Sequence, residues 1–385
     1  MLKIWAWVLV LVLMLTNLAG CVPTPTTQDE PTDQPDEEIY KIGLVTGTAS
    51  QGEDEYRAAE NMVAKYGNMI THVTYPNNFM QEQETTIAQI IGLADDPDIK
   101  AIVICQAVPG SIAALQRIKE KRPDMIFVFG TSHEDPYMIS EYPDIAFDLD
   151  QLARGQTIVQ LAKEMGATKF LHYSFPRHMA IPLLAQRRDI MEQTCKDEGL
   201  EFVFVATHDP MSDVGIPGAQ QGVLKDVPRQ VTKYGKDIAV FSTNCAMQEP
   251  LIKACLDSGA LFPEQCYPSP THGYPGALGI EITPDQTGYM PAIIETINDK
   301  ILEKGGTGRF ATWPVSASML FVEGGVELAK DAIENKIDLK DTIAIQKKLE
   351  EISGTTITLN KYKEDGNLLM LVAGSIIFGK GELAK

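Results

Sequence analysis

The 385-residue sequence lacks the short motifs that mark several common enzyme classes. It contains neither the G-x-S-x-G turn of α/β-hydrolases nor the H-E-x-x-H pair of zinc proteases. The segment 47–52 has the glycine spacing of a phosphate-binding loop, but Glu53 and Asp54 stand where a lysine and a hydroxyl residue are required. Their negative charge repels phosphate. These absences predict a protein that is not an enzyme and requires no cofactor.

Cysteine is scarce, and the five cysteines after Cys21 form no C-x-x-C unit and cannot all pair with one another. Cys105 ends an apolar run and Cys255 lies on a helical pattern, where a cysteine usually packs as a small apolar residue. One disulfide among Cys245, Cys255 and Cys266 is the minor alternative. The segment 133–135 offers only a weak set of metal ligands, so no metal site is predicted.

Basic residues are also few relative to acidic ones. The chain has 33 lysines and arginines against 52 aspartates and glutamates, which gives a formal net charge of -19. Such a surface repels phosphate backbones and excludes nucleic acid as the expected partner. It also disfavours an anionic ligand unless a local cluster of basic residues is present.

Only one long hydrophobic run occurs, between Ile4 and Leu15. At about 12 residues it is shorter than the roughly 20 needed to span a bilayer, and after Lys3 it is typical of a signal peptide. The next residues, 18–21, read Leu-Ala-Gly-Cys and resemble the bacterial lipobox, after which the cysteine is lipid-modified. We therefore predict a lipoprotein signal peptide at 1–20 and lipidation at Cys21. An uncleaved anchor helix is the alternative, and either one places the body outside the cytoplasm.

Residues 21–39 are rich in proline and carboxylates. Such a segment buries little apolar area and repels itself, so it favours an extended chain. We predict a disordered acidic tether that holds the body at the cell membrane, on its extracytoplasmic face. A partner in that membrane follows from this arrangement.

From Tyr40 onward, short apolar runs alternate with amphipathic stretches of helical spacing. Strands that are apolar on both faces and alternate with helices are typical of a parallel sheet covered by helices. The rhythm occurs twice and predicts an α/β fold of two similar, doubly wound lobes with a cleft between them. We assign 40–149 and about 276–335 to the first lobe, and 150–275 and about 336–385 to the second. A β-hairpin is expected around "KEDGN", and a weak strand near Cys266.

Several segments succeed one another in a familiar order: "KIGLVTGT", "IKAIVICQA", "IFVFGTS", "AQRRDIMEQTCKDEGLEF" and "DIAVFSTNCAMQEPLIKACLDSGA". In this order they resemble the type I periplasmic solute-binding proteins, which include sugar-binding components of ABC importers and basic-membrane-protein-like lipoproteins. The resemblance covers about 40–335 and most closely suggests a clostridial-type lipoprotein branch. It implies a role for Arg188, on the helix after the first strand of the second lobe. Repressors of this superfamily carry a helix-turn-helix where this chain has its signal and tether.

Ligands of open parallel sheets bind beyond the carboxyl ends of the strands. The polar residues that follow the predicted strands are therefore the candidate ligand-binding residues. In chain order, together with Arg188, they are Thr46, Thr48, Asn77, Gln106, Thr131, His133, Arg177, His208, Asn244 and Thr271. Their hydroxyl, amide and imidazole groups favour a small polar ligand such as a sugar or a nucleoside. The alternative is that many of them only cap helices or stabilise turns.

These inferences predict a lipid-anchored solute-binding protein that closes on its ligand and delivers it to an ABC permease. A ligand-sensing lipoprotein that works with a membrane receptor is the alternative. A surface hydrolase is a third and weaker hypothesis.

Overall fold

The computed structural model describes residues 40–381, so the predicted signal peptide, the lipidation at Cys21 and the tether lie outside the described residues. The strands are β1 (Lys41–Thr46), β2 (Ile70–Thr74), β3 (Ile99–Cys105), β4 (Ile126–Gly130), β5 (Ile145–Leu149), β6 (Lys169–Ser174), β7 (Glu201–Ala206), β8 (Ile238–Ser242), β9 (Ala311–Thr312), β10 (Ile357–Lys361), β11 (Leu368–Ala373) and β12 (Ile376–Ile377).

The helices are α1 (Glu53–Tyr66), α2 (Gln83–Ala94), α3 (Ser111–Lys119), α4 (Pro136–Ile139), α5 (Gln151–Glu164), α6 (Pro176–Met179), α7 (Pro182–Glu198), α8 (Gly215–Tyr234), α9 (Gln248–Ser258), α10 (Tyr274–Leu278), α11 (Met290–Glu303), α12 (Ala317–Ile333) and α13 (Thr342–Ser353). Within residues 40–381, no helix is both long and apolar enough to cross a membrane.

The first lobe is built on a seven-stranded sheet in the order β10-β11-β5-β4-β3-β1-β2. All neighbouring pairs are parallel except β10 with β11. Strand β3 is apolar on both faces: Val103 packs with the core that includes α1 and α12, whereas Ile102 packs with the core that includes α2 and α3. Helices on both faces explain why the strands are continuous apolar runs.

The second lobe contains the parallel strands β7-β6-β8. Parallel bridges from Ala239 to Leu261 and from Phe262 to Phe310 continue this sheet, and β9 pairs with β12 beside them. Helix α5 packs on α7, and α8 packs on α9. The predicted α/β class with two parallel-sheet lobes is confirmed.

The chain crosses between the two lobes three times, from β5 to α5, from β9 to α12 and from β11 to β12. The first crossing lies where the sequence predicts it, at Leu149 to Gln151. The later two depart from the predicted boundaries near 276 and 335. Helix α11 packs in the second lobe, since Ile301 lies beside Leu256, whereas α12 packs on β3 and β4 of the first.

The predicted hairpin is present as β10 and β11, paired from Ile357 with Ala373 to Lys361 with Leu369. It belongs to the first lobe and not to the second, because β11 pairs in parallel with β5. The weak strand predicted near Cys266 is wrong: the strand-like bridges involve Leu261 and Phe262, and Cys266 lies in the loop that follows. Hydrophobic pattern identifies elements but does not say which sheet receives them.

Candidate functional site

The loops after β1 and β2 meet at the carboxyl-terminal edge of the first-lobe sheet. Thr48 Oγ1 donates to Asn77 Oδ1 at 2.5 Å, and Ser50 Oγ donates to the same oxygen at 3.2 Å. Gln51 Nε2 donates to the Asn77 carbonyl oxygen. The structure thus places Thr48 and Asn77 next to each other at an exposed position, joined by a hydrogen bond.

A buried carboxylate, Glu55, organises this edge and was not predicted. It accepts hydrogen bonds from Gly47 N (2.7 Å), Tyr75 Oη (3.0 Å) and Gln106 Nε2 (2.9 Å). Burial raises the pKa of Glu55, and these three donors oppose the rise. Gln106, predicted to contact a ligand, instead holds Glu55. The signal was available in the sequence, because Glu55 lies in the first turn of α1, where a helix favours a carboxylate.

Thr46 is fully buried, which removes it from the surface that a ligand can reach in this conformation. Its hydroxyl lies 2.8 Å from both the Gly47 carbonyl oxygen and His72 Nε2. Its prediction as a contact residue is therefore corrected: Thr46 is the last residue of β1, a strand that is buried on both faces of the sheet.

Two more predicted residues follow β4. Thr131 has a φ of +48°, unusual for a β-branched residue, and its Oγ1 lies 3.3 Å from Tyr267 Oη of the second lobe. His133 packs against Phe79 with 5.9 Å between ring centroids, and partial burial lowers its pKa. Both residues lie at the carboxyl-terminal edge of the sheet, as expected.

In the second lobe, Arg177 forms a bidentate ion pair with Asp209, at 2.7 and 2.8 Å. This pair holds the pKa of Asp209 down at about 2. His208 packs over α8 at Gly222 and lines a cavity of about 710 Å³ between β7 and α8, together with Asp226 and others. His208 thus lies over the flank of the second lobe.

Asn244 and Thr271 have structural partners. Asn244 Oδ1 accepts a hydrogen bond from Ala246 N at 3.0 Å and so caps the 3₁₀ turn Cys245–Met247. Thr271 Oγ1 donates to the Asp54 carboxylate at 2.9 Å, and Ser269 Oγ donates to it at 2.8 Å. Thr271 therefore joins the second lobe to the start of α1 in the first.

Arg188 does not lie in the site. It pairs with the adjacent Asp189 on the surface of α7, whereas its neighbour Arg187 is 1% exposed. The register implied by the resemblance is shifted by one residue, and one residue on a helix is a rotation of about 100°. Arg187 donates to Gln151 Oε1 and lies 5.1 Å from the centre of the Phe241 ring. Burial and the charge of nearby Arg154 lower the pKa of Arg187 to about 9.

A buried ion pair fixes the first two crossings between the lobes. Arg154 Nη2 and Nε donate to Glu264 Oε1 at 2.7 and 2.9 Å, and Trp313 Nε1 donates to Glu264 Oε2 at 2.9 Å. Arg154 also donates to the carbonyl oxygens of Gln265 and Cys266. All five residues are buried. This cluster joins the start of α5 to the loop after Phe262 and to the segment that leaves β9.

Beside this cluster, two thiols and an imidazole lie together. Cys245 Sγ is 3.2 Å from Cys266 Sγ, and a ring nitrogen of His272 lies within 4.8 Å of both. Both cysteines are free thiols, so the disulfide considered from the sequence is not formed. The sequence analysis missed the set because three separate loops supply its members.

Two parallel α/β lobes joined by three crossings define the fold of type I periplasmic solute-binding proteins. A sugar ABC transporter protein from Actinomyces odontolyticus ATCC 17982 has this fold at a TM-score of 0.50 and 12% identity, over 79% of this chain and 86% of that one. The chain belongs to the family DUF3798, described as "Protein of unknown function", whose model matches residues 40–311.

Two further proteins are similar to this chain. An uncharacterized protein of Treponema pallidum (strain Nichols) is 37% identical over 180 residues, which are 45% of this chain and 81% of that protein. A crystal structure from Clostridium difficile 630, of a protein assigned provisionally as a transcriptional regulator, has a TM-score of 0.83 and 28% identity. It covers 88% of this chain and 99% of that one. The fold that the predicted resemblance implied is confirmed by the likeness to the transporter structure.

Proposed function

We propose that this protein is an extracytoplasmic solute-binding protein that closes its two lobes on a small polar ligand such as a sugar or a nucleoside. The observation that carries the proposal is the pairing of two parallel-sheet lobes whose carboxyl-terminal loops touch, as Asp54 does with Ser269 and Thr271. The three segments that cross between the lobes are short, and such connections permit a hinge motion of one lobe against the other. No catalytic role is assigned to the residues at this edge.

The proposal includes a membrane partner. Lipidation at Cys21 and an extended acidic tether would hold the two lobes near the outer face of the cell membrane, where an ABC permease accepts the ligand. The net charge of -19 supports a neutral or zwitterionic solute, and it argues against DNA as a partner. This point separates the proposal from the regulatory assignment of the C. difficile protein.

The decisive experiment is a thermal-shift screen of sugars, nucleosides, amino acids and flavins with the purified protein. A true ligand at a hundredfold excess over its dissociation constant stabilises the folded state by about 2.7 kcal/mol. A well-folded protein that shifts with no class of compound would contradict the proposal.

Once a ligand is found, Arg177→Ala and Asn244→Ala test the edge of the second lobe. Each should weaken binding by about 1 to 3 kcal/mol, because a polar ligand group loses its partner. Arg188→Ala is the matched control, since Arg188 pairs only with Asp189 on the surface of α7. Equal affinity in all three variants would place the ligand elsewhere.

The same lobes suit a ligand-sensing lipoprotein, in which the membrane partner is a receptor instead of a permease. Crosslinking of the lipidated protein in intact cells, followed by identification of the captured membrane protein, separates the two. A surface hydrolase remains the third hypothesis, tested by turnover of esters and glycosides and by its loss in His208→Ala.

A further inference from the structure

Cys245, Cys266 and His272 bring three metal-ligating atoms to one point. Their ligand atoms all lie within 4.8 Å of one another, and the two sulfurs are 3.2 Å apart. Among residues 40–381 this is the one group of three or more such side chains found so close together. The members come from the end of β8, the loop after Phe262 and the turn before α10.

The imidazole of His272 is held in the orientation that a metal ligand requires. Its Nδ1 lies 2.8 Å from the Tyr267 carbonyl oxygen, which can only accept, so Nδ1 carries the proton. In the neutral ring the lone pair is then on the second nitrogen, Nε2. A backbone carbonyl that fixes the tautomer in this way is the usual outer partner of a metal-binding histidine.

Hydrogen bonds and close packing connect the loops that carry Cys245, Cys266 and His272. Gln248, which is fully buried, donates from Nε2 to the Asn244 carbonyl oxygen at 2.8 Å and accepts from Cys266 N at 3.3 Å. Gly273, next to His272, has a φ of +89°, and a Cβ there would lie 3.0 Å from Glu249 N. This close approach holds the His272 turn against the start of α9. Pre-organised donors lose less entropy when a metal binds.

Two buried arginines, Arg154 and Arg187, lie near the sulfur of Cys266. Burial and the neighbouring Cys245 raise the pKa of Cys266, and the positive charges of Arg154 and Arg187 act against that rise. Arg187 is 1% exposed, and its Nε has no hydrogen-bond partner. A thiolate at Cys266 would place negative charge beside this buried cation.

The sulfur separation suits a shared ion. A disulfide bond is about 2.0 Å long. Two zinc–sulfur bonds of about 2.3 Å at the tetrahedral angle place the sulfurs roughly 3.8 Å apart. The observed 3.2 Å lies closer to the second value. Cys245 is exposed, so a fourth coordination position is open to solvent or to a bound molecule.

We propose that Cys245, Cys266 and His272 bind a borderline-soft divalent cation of the Zn²⁺ type at the edge of the second lobe. Two sulfurs and one imidazole nitrogen are the donors that Zn²⁺ prefers, and three protein ligands leave one position open. The metal site goes beyond the solute-binding proposal and adjoins its candidate residues, since Cys245 follows Asn244 and His272 follows Thr271.

The test uses the full chain, kept reduced, with Co²⁺ as the spectroscopic probe and Zn²⁺ as the competitor. We expect one equivalent of Co²⁺ to produce thiolate-to-metal charge-transfer absorption, and one equivalent of Zn²⁺ to abolish it. Cys245→Ser and His272→Gln should each lose this absorption or weaken Zn²⁺ binding at least tenfold. Cys195→Ser and Cys255→Ser remove buried thiols outside the cluster and should bind as the unaltered protein does.

Three results would overturn the proposal. The first is the absence of the absorption in reduced, folded protein. The second is unchanged Zn²⁺ affinity in both Cys245→Ser and His272→Gln, which are judged only if their circular dichroism matches that of the unaltered protein. The third is a mapped Cys245–Cys266 disulfide in protein that takes up no Co²⁺ after reduction. A solute that shifts the melting temperature of Cys245→Ser normally would leave the solute-binding proposal standing.

Discussion

The two lobes share a winding but satisfy their buried polar groups differently. In the first lobe, Glu55 accepts three hydrogen bonds from donors supplied by strands and loops around it. In the second, His172 is fully buried in β6 with neither ring nitrogen bonded. The sheets differ in size as well: the sheet of the first lobe has seven strands, whereas β7, β6 and β8 form a sheet of three.

This difference indicates what each lobe contributes. The polar groups at the edge of the first lobe are already hydrogen-bonded to one another, so this edge acts as a rigid, pre-organised surface. The second lobe carries the set Cys245, Cys266 and His272 and the exposed side chain of Arg177, whose partner is Asp209. We therefore expect ligand chemistry to be set mainly by the second lobe, and stability to depend on the few buried ionic groups at its crossings.

The largest effect is expected from Arg154→Met at those crossings. The substitution leaves Glu264, which is 2% exposed, with a negative charge and only Trp313 as its donor. Breaking a buried pair in this way costs about 3 to 5 kcal/mol. Urea unfolding measures the loss. Arg188→Met is the control, and its free energy of unfolding should stay within about 0.5 kcal/mol of that of the unaltered protein. A loss below 1 kcal/mol in Arg154→Met would show that the crossings are not held by this pair.

A smaller loss of about 2 to 3 kcal/mol is expected for Glu55→Ala in the first lobe. The change leaves the donors Gly47 N, Tyr75 Oη and Gln106 Nε2 without their acceptor, and an orphaned buried donor costs about 1 to 3 kcal/mol. Water can reach part of the loop, so the three costs do not add. Glu53→Ala, which alters an exposed residue of the same helix turn, is the control. Equal unfolding midpoints for the two variants would contradict the interpretation that the edge of the first lobe is rigid.

His172→Phe sharpens the comparison through pH. Burial lowers the pKa of His172 to about 3, so the folded state keeps the ring neutral while the unfolded state takes up a proton below about pH 6.5. Stability is therefore lost as the pH falls from about 6.5 towards 3.

The variant cannot take up that proton, and its ring suits neighbours such as Phe204, 5.8 Å away. The difference in the free energy of unfolding between His172→Phe and the unaltered protein should be about 1 to 2 kcal/mol more in favour of the variant at pH 5 than at pH 8. Thermal unfolding at the two pH values measures this difference. Parallel pH curves for both proteins would refute it.

Much of the fold could be predicted from the sequence because its strands are apolar on both faces. Runs such as 101–104 and 238–241 lie in strands, and the hairpin around "KEDGN" is present. The lobe assignment after residue 276 could not be predicted, because an amphipathic helix such as α11 shows that one face is buried without showing which sheet covers it. Only pairing in space decides that.

The candidate site was less predictable for a similar reason. Strand ends indicate which loops meet, as Thr48 and Asn77 do, but the side-chain partners depend on distances across the chain. Thr271 was expected to face a ligand and instead contacts Asp54, 217 positions away. Cys245 and Cys266 are 21 positions apart, a spacing that matches no familiar motif.

The smallest expected effect concerns the contact between the lobes. Asp54 at the start of α1 accepts from the hydroxyls of Ser269 and Thr271, which extend from the second lobe. Opening the cleft must break these bonds, whereas the crossings stay intact. Asp54→Ala removes the acceptor and should cost only about 1 kcal/mol of stability.

The same change favours the open arrangement, which small-angle X-ray scattering of the ligand-free protein measures as a larger radius of gyration. Glu53→Ala has the same change of charge beside it without these bonds, so it should scatter as the unaltered protein does. If Asp54→Ala expands the protein and weakens ligand binding while Glu53→Ala does neither, the first lobe acts by holding the second closed. If the two variants give the same radius of gyration, closure depends on the buried cluster around Arg154, and the edge of the first lobe does not contribute to it.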